Sequence, residues 1–424
     1  MLDIKYIREH SAIVQQAAKH KGIDINIEQL LLVDDQRRSV QKKLDDLRAE
    51  QGRANQAIAQ AVAEDKATRI ATMRTLADTI KILEQEFQTV DQLFEQLMYQ
   101  VPNVPANTVP IGADASANVE LSTVGQPPVF SFTPLDHLTL GKQLKLIDAE
   151  RGVKVAGSRA YYLTGRGAQL ELALMCYGLD FLRARGFTQL ATPLMAAGEF
   201  FYGTGHFPWN ENETFKALDK DREYYLIGSA EITLCAYHAH ETLQQAELPK
   251  RYTAWTPCFR TEVGSYGKDT KGLYRVRQFN KVEQVMLCVN DDTSAMQLFE
   301  ELMRNAEDFL QSLELPYRVM ELCTGDMGAG QKYKRDIETW MPSRQSYGET
   351  HSCSWLGDFQ ARRLNLRYRV AGKTNYCQTL NNTLVASPRM LIPLLENHQH
   401  ADGSVQLPAV LHKYMNGLTV LKPE

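Results

Sequence analysis

Between Met73 and Leu97 the apolar positions fall at Met73, Leu76, Ile80, Leu83, Phe87, Val90, Phe94 and Leu97. Spacings of three and four residues in alternation wind one narrow stripe along a helix, which is the seam of a coiled-coil strand. An earlier stripe, Leu30, Val33, Val40, Leu44, Leu47, Ala54, Ile58 and Ala61, keeps this register if Arg37 and Gln51 take stripe positions. The polar stretch Ala63-Glu64-Asp65-Lys66-Ala67-Thr68 lies between them. It is where the chain can reverse, so the pattern predicts an antiparallel helical hairpin. Arms of about 35 residues are roughly 50 Å long, enough to project from a body.

Val101-Pro102-Asn103-Val104-Pro105 and Pro110-Ile111-Gly112 then end the helical pattern. Proline removes a backbone donor and restricts the residue before it, so a boundary is expected near 105–135. Beyond it a helical pattern at 167–185 mixes with β-rich runs at 223–228, 276–289, 317–323 and 361–370. No strand is followed by a glycine-rich phosphate loop, so an α+β domain around an antiparallel sheet fits better than a doubly wound one. The division expected is an N-terminal domain at 1–105, a linker at 106–135 and a second domain at 136–424.

Composition narrows this picture little. The 424 residues are 44% hydrophobic and 23% charged, which suits two or three folded domains and excludes a small stapled scaffold. Seven cysteines show no two-residue spacing of the kind zinc or redox sites favour, and read as reduced thiols. The start of the chain lacks the design of a signal peptide, and no apolar run nears the roughly 18 residues of a membrane span. The chain reads as soluble and cytoplasmic. A net charge of −4 requires that any polyanion be met by a local patch. Residues 36–74 carry nine Lys/Arg (Arg37, Arg38, Lys42, Lys43, Arg48, Arg53, Lys66, Arg69, Arg74) against five Asp/Glu, whereas residues 75–100 carry one against five. A basic tip and outgoing helix suit a phosphate backbone, although solvated coiled coils carry charged faces in any case.

Candidate chemistry gathers in four places. Phe259-Arg260-Thr261-Glu262 leads into a loop with Gly264, Gly267, Gly272, Lys268, Lys271 and Arg275, then Gln278-Phe279-Asn280-Lys281-Val282-Glu283. Alternate strand residues share a face, so Arg260 goes with Glu262, and Phe279 with Lys281 and Glu283. Arginine offers a planar fork to a phosphate and phenylalanine a stacking face to a base; the bland reading is a surface hairpin with cross-strand ion pairs. Ser229 and Glu231 share one side of the step after Tyr224-Tyr225-Leu226-Ile227, but such steps also cap helices. Glu349 with Thr350, His351 and Ser352 offers oxygen ligands of the kind Mg²⁺ favours, one carboxylate being too few alone. Asn381-Asn382-Thr383 precedes Ser387-Pro388-Arg389, which reads as a helix start whose Arg389 is electrostatically wrong unless an anion lies beside it; Pro393 within that helix should kink it. His206 and His351 stand in no ligand spacing and read as structural.

Taken together these stretches are similar to class II aminoacyl-tRNA synthetases. Phe259–Glu262 with Gly272–Glu283 resembles their motif 2, and Thr379-Leu380-Asn381 to Arg389 with Glu396-Asn397 resembles motif 3. Adding the hairpin, Gly203-Thr204-Gly205, the Ser229–Glu231 step and Ser352-Cys353-Ser354 before Asp358–Arg363, the chain resembles the seryl-tRNA synthetase family, of bacterial type, nearly end to end. The resemblance implies an antiparallel-sheet catalytic domain preceded by the helical hairpin, working as a homodimer through the helix at about 168–185.

It implies an ATP site of Arg260, Thr261, Glu262, Arg275, Val276, Phe279, Glu349, Thr350, His351, Ser352 and Arg389, with Arg260 and Arg389 as catalytic residues and Mg²⁺ held by Glu349 and Ser352. It implies a serine site of Ser229, Glu231, Arg260, Glu283, Asn381 and Thr383. Transfer RNA is expected on the hairpin through Arg37, Arg38, Lys42, Lys43, Arg48, Arg53, Arg69 and Arg74. The implied activity is serine–tRNA ligation by way of seryl-adenylate, with tRNA(Sec) a further candidate acceptor. Ser229 stands where the family usually has threonine, Arg277 where histidine is common, and Asn382 and Pro388 where glycine is frequent. A catalytically silent tRNA-binding relative is therefore the alternative, with a carrier-protein ligase and a purely structural coiled coil behind it.

Overall fold

The computed structural model describes residues 1–60, 63–263 and 272–423, with the backbone alone at 63–68. It divides into two compact units, one of Leu2–Lys19 with Ile23–Pro102 and the other built mainly from Asn103–Glu424.

In the first unit, helices α1 (Ile27–Ala59) and α2 (Ala63–Gln100) form the hairpin. Asn26 caps α1 by accepting from the Gln29 amide. Val40, Leu44 and Ile80 are buried between the helices, with Leu47, Leu76, Leu83 and Phe87 packed around them. Cross-helix pairs Arg37–Asp91 and Arg48–Glu84 run in opposite directions along the two chains, so the pairing is antiparallel. Arg37 does take a stripe position: its guanidinium bonds Asp91 at 2.9 Å and lies 4.2 Å from the centroid of the Phe94 ring. The polar stretch Ala63–Thr68 opens α2 instead of forming the turn. Its alanines and charged residues are good helix formers, while α1 ends at Ala59 with Gln60 as its C-cap. Ala61 of the predicted stripe and the side chain of Lys66 lie outside the described residues.

The second unit is built on an eight-stranded sheet. Its strands are β1 (Val119–Val124), β2 (Thr188–Gln189), β3 (Lys250–Phe259), β4 (Gln278–Cys288), β5 (Tyr317–Glu321), β6 (Tyr333–Met341), β7 (Ser346–Gly357) and β8 (Gln378–Ser387). The spatial order is β1-β5-β6-β7-β8-β4-β3-β2. All pairs are antiparallel except the short edge β2–β3. Within residues 106–135, Val119–Val124 supplies an edge strand of this sheet.

Period-two alternation gives each central strand two kinds of face. Val282, Met286 and Cys288 of β4 enter the main core with helices α3 (Arg166–Arg183) and α5 (Asp292–Ser312), whereas Phe279 and Lys281 line an open cleft. Helix α3 comes very close to the sheet at Gly178, where an added Cβ would sit 3.1 Å from Val385. On the helix side Gln284 and Asn382 both donate to the Leu302 carbonyl of α5. Asn382 is therefore held on the helix side of the sheet.

Two local expectations change. The basic run at 361–370 is not one strand: Asp358 precedes a short helix, α6 (Phe359–Arg363), and extended backbone resumes at Arg367–Val370. The Arg362–Asp358 ion pair, four residues apart, spans that helical turn. Ser387 ends β8 rather than capping a helix, its hydroxyl donating to Glu171, and helix α7 begins at Leu391 (Leu391–Asn397). Pro393 then falls in the first turn, where amides have no intrahelical acceptor to lose, which accounts for its place in the helix. All seven cysteines are free. Among the described residues no helix is long and apolar enough to cross a membrane.

Candidate active site

The cleft has a volume of about 360 Å³ and is walled by the open faces of β4, β6, β7 and β8. Arg260, Arg275, Lys281, Lys334 and Arg389 line it against the carboxylates Glu231, Glu262 and Glu349. That surplus of cations over carboxylates favours a polyanionic ligand.

At one end, the sheet's own irregularity presents the polar groups. Ile337 pairs with His351 and Glu338 with Glu349, leaving Thr350 as an extra residue in β7. Such a bulge re-aims side chains, so Glu349, Thr350 and Ser352 all reach the cleft. Arg389 donates to the Glu349 carbonyl at 3.0 Å and approaches its carboxylate at 3.3 Å. It also lies 4.5 Å from the centroid of the Tyr274 ring. Burial works against the Arg389 charge, but Glu349 and Tyr274 outweigh it and raise its pKa. Burial likewise opposes ionisation of Glu349, and Arg389 with Lys334 reverses this, so its carboxyl titrates below the usual value. Lys334 pairs with Asp336 at 3.2 Å, and burial pushes Asp336 up to about 7.

Arg260 follows β3 and donates to the Gly228 carbonyl at 3.3 and 3.4 Å, its guanidinium 5.3 Å from the Phe279 ring. Glu262, at positive φ, meets Arg159 at 3.4 Å and Arg275 at 3.7 Å. Thr261 is directed elsewhere, its hydroxyl donating to the Asn212 carbonyl and so fixing the turn between Arg260 and Glu262. Gly264, Gly267, Lys268 and Lys271 lie outside the described residues.

The opposite end is an amide and carboxylate network. Glu231 opens helix α4 (Glu231–Ala236), with its backbone amide donating to the Ser229 hydroxyl as the sequence suggested. Its carboxylate accepts from Gln360 at 2.7 Å and from Asn381 at 3.3 Å. Burial raises the Glu231 pKa against the opposing effects of Gln360, Lys281 and Arg260. Asn381 also donates to Glu283 at 3.1 Å, which assigns its Nδ2; its buried Oδ1 has no hydrogen-bond partner among the described residues. Thr383 lines the same end, and Glu283 lies just behind it, fully buried and ion-paired with Lys281.

His351 does not reach the cleft with its side chain. It is buried between the Thr350 hydroxyl and the Leu384 carbonyl, and burial lowers its pKa to about 4, which keeps it neutral. His206 lines the cleft and is also lowered to about 4 by burial.

Lys281, Lys334 and Tyr274 line the cleft without having been expected there. Lys281 shares a face with Phe279 and Glu283, and period two was the signal for it. Lys334 was hidden because β6 reads Tyr-Lys-Arg-Asp-Ile-Glu-Thr-Trp-Met, charged on the face it turns to the cleft, so the run does not look like a strand.

Residues 1–105 match the family model described as the seryl-tRNA synthetase N-terminal domain, and residues 214–398 match the class II tRNA synthetase core domain (G, H, P, S and T). The chain is 44% identical over 422 residues to a serine–tRNA ligase of Deinococcus radiodurans, covering 99% of both chains. Among solved structures it superposes on seryl-tRNA synthetase of Pyrococcus horikoshii complexed with ATP, with a TM-score of 0.90 and 34% identity, covering 100% of both chains. It also superposes on the cytoplasmic serine–tRNA ligase of Naegleria fowleri in complex with AMP, with a TM-score of 0.87 and 27% identity, covering 100% of this chain and 99% of that one.

Proposed function

The chain belongs to the seryl-tRNA synthetase family, and on that premise we propose that its cleft activates L-serine with ATP and passes the seryl group to the 3′ end of tRNA(Ser). It is an ATP-dependent aminoacyl-tRNA ligase with a class II core. The alternative of a silent tRNA-binding relative has no support. The observation that carries the assignment of the two ends is the gathering of cations at one: Arg260, Arg275, Lys334 and Arg389 outnumber Glu262 and Glu349 there, whereas at the other Lys281 is offset by Glu231 and Glu283 beside an amide oxygen without a hydrogen-bond partner among the described residues.

The cationic end takes the nucleotide. Arg260 holds the α-phosphate, Arg275 and Arg389 the outer phosphates, Phe279 stacks on the base and Glu262 faces its amino group. The Val276 backbone and the segment from Glu349 through Thr350 and His351 to Ser352 complete that wall, His351 supporting it from behind; Thr261 fixes the turn that aims Arg260. The other end takes the amino acid, whose ammonium and hydroxyl meet Glu231, Ser229, Asn381 and Thr383, with Glu283 behind them. The serine carboxylate then lies beside Arg260 and attacks the α-phosphorus in line, expelling pyrophosphate. Arg260 and Arg389 stabilise the charge that develops, so positioning and electrostatics supply the rate without a protein nucleophile. The terminal hydroxyl of the tRNA next attacks the seryl-adenylate and releases AMP.

Oxygen donors at Glu349 and Ser352 fit Mg²⁺, and Asp336 Oδ1 beside them is buried without a hydrogen-bond partner among the described residues. When bound there, the ion adds Lewis-acid stabilisation of phosphate charge. The hairpin is read as the tRNA-binding arm, 106–135 as the connection to a catalytic domain at 136–424, and α3 as part of a homodimer interface in a cytoplasmic enzyme. The test is amino-acid-dependent ATP–pyrophosphate exchange with serine, threonine, alanine, glycine and cysteine. Exchange with serine far above the rest is expected; none from folded protein would restore the silent reading.

A further inference from the structure

The amino-acid end of the cleft holds a buried cation to which the reaction above gives no task. Lys281 lies in the middle of β4, its side chain 7% exposed, beside Glu283 at 0%. Its Nζ donates to the Ser229 hydroxyl at 2.8 Å and pairs with Glu283 Oε2. Burying an ammonium and a carboxylate is seldom the cheapest way to fill a strand, and a well-packed apolar pair would often be as stable. The pair therefore calls for a reason beyond packing.

Hydrogen-bond capacity supplies one. A serine hydroxyl has two lone pairs and one hydrogen. The Lys281 ammonium and the Glu231 backbone amide, at 2.8 and 3.2 Å, donate to that oxygen together. With its acceptor capacity used, Ser229 can only donate to whatever enters the cleft. Glu283, by contrast, accepts from Asn381 on Oε1, while its Oε2, held by the Lys281 charge, has no hydrogen-bond partner among the described residues and keeps its capacity to accept. One ammonium thus sets a donor at Ser229 and an acceptor at Glu283 within a single network.

We propose that Lys281 is a positioning residue for amino-acid recognition, which orders the donor and acceptor that select a substrate bearing a side-chain hydroxyl. The proposal rests on reading this end of the cleft as the serine site. A hydroxyl both donates and accepts, so an ordered pair satisfies it, whereas alanine leaves both members unpaired.

The experiment is ATP–pyrophosphate exchange by the full chain, comparing wild type, Lys281→Met, Glu283→Gln and the double variant. Truncating one partner of a buried charge pair is worth about 30-fold or more in binding. Lys281→Met is expected to raise the serine KM by about that factor, to move the ATP KM less than about threefold, and to cut the preference for serine over alanine roughly tenfold. Because Lys281 acts in part through Glu283, its effect should shrink when Glu283→Gln is already present. An unchanged serine KM, an equal rise in the ATP KM, or full multiplication of the two single effects overturns the proposal. If Lys281→Met no longer binds ATP, Lys281→Gln, which keeps a donor but removes the charge, is held to the same criteria. Absence of serine-dependent exchange in the wild type would instead overturn the functional reading itself.

Discussion

Apart from Asp34, which is buried near the start of α1, the hairpin and the cleft place their charges in opposite ways. In the hairpin, apolar residues such as Val40, Leu44 and Ile80 are enclosed and pairs such as Arg48–Glu84 stay in solvent, with side chains 52% and 46% exposed. In the cleft, Lys281, Glu283 and Asp336 are buried in the interior of a sheet. Exposed pairs of the first kind contribute little, typically under about 1 kcal/mol. Buried charges of the second kind are costly unless fully paired; each here has an ion-pair partner, yet Glu283 Oε2 and Asp336 Oδ1 keep no hydrogen bond among the described residues. A regular pattern therefore locates an element, while the places where charge interrupts a strand's buried face locate its chemistry.

The largest effect that tests this contrast is Arg260→Ala. We expect serine-dependent pyrophosphate exchange to fall about 10³-fold, the loss typical of one preorganised group on a developing charge, with tRNA affinity unchanged within about twofold. Loss of tRNA binding as well would mean that the two regions do not act separately.

Next in size is a matched pair of core truncations. Phe309, fully buried under the sheet, should cost about 3–5 kcal/mol as Phe309→Ala and lower the urea midpoint of the second unit. Leu44→Ala removes a buried contact of the hairpin and should cost a similar amount locally, leaving exchange near wild type. Equal loss of exchange in both variants would show that the hairpin is required for the cleft to form.

How far each region could be read from the chain follows from the same contrast. The hairpin was legible because its register is local: the three-four stripe names its own partners, and even the inward Arg37 follows from it. Ala63–Thr68 was read as the turn because it is polar, and polarity alone does not separate a turn from a solvated helix end. In the sheet, β4 was legible since it lies in a β-rich run, 276–289, in which period two puts Phe279, Lys281 and Glu283 on one face. The strand β6 was not, because Lys334, Asp336 and Glu338 make it look like surface. The site residues themselves were reached by resemblance more than by pattern, since Glu349 and Arg389 meet only after β7 and the end of β8 are brought together. Thr261 and His351 show the limit of carrying a motif over residue by residue, as neither side chain points into the cleft.

The smallest effect is the most discriminating for the hairpin. Lys42 and Lys43 are exposed on α1, so their Lys42→Gln/Lys43→Gln variant should weaken tRNA binding about tenfold and reduce the slope of log affinity against log salt by about 1–2, one unit per lost phosphate contact. Arg37 has the same charge but a different situation, tied to Asp91 and packed on Phe94 with 29% of its side chain exposed. Arg37→Gln should lower the stability of the hairpin while leaving the salt slope as it was, because no phosphate contact is removed. Fluorescence anisotropy with labelled tRNA across a salt series separates the two. A slope that falls for Arg37→Gln and stays constant for the lysine pair would place the tRNA on the Arg37 side of α1 and leave Lys42 and Lys43 as an ordinary solvated face.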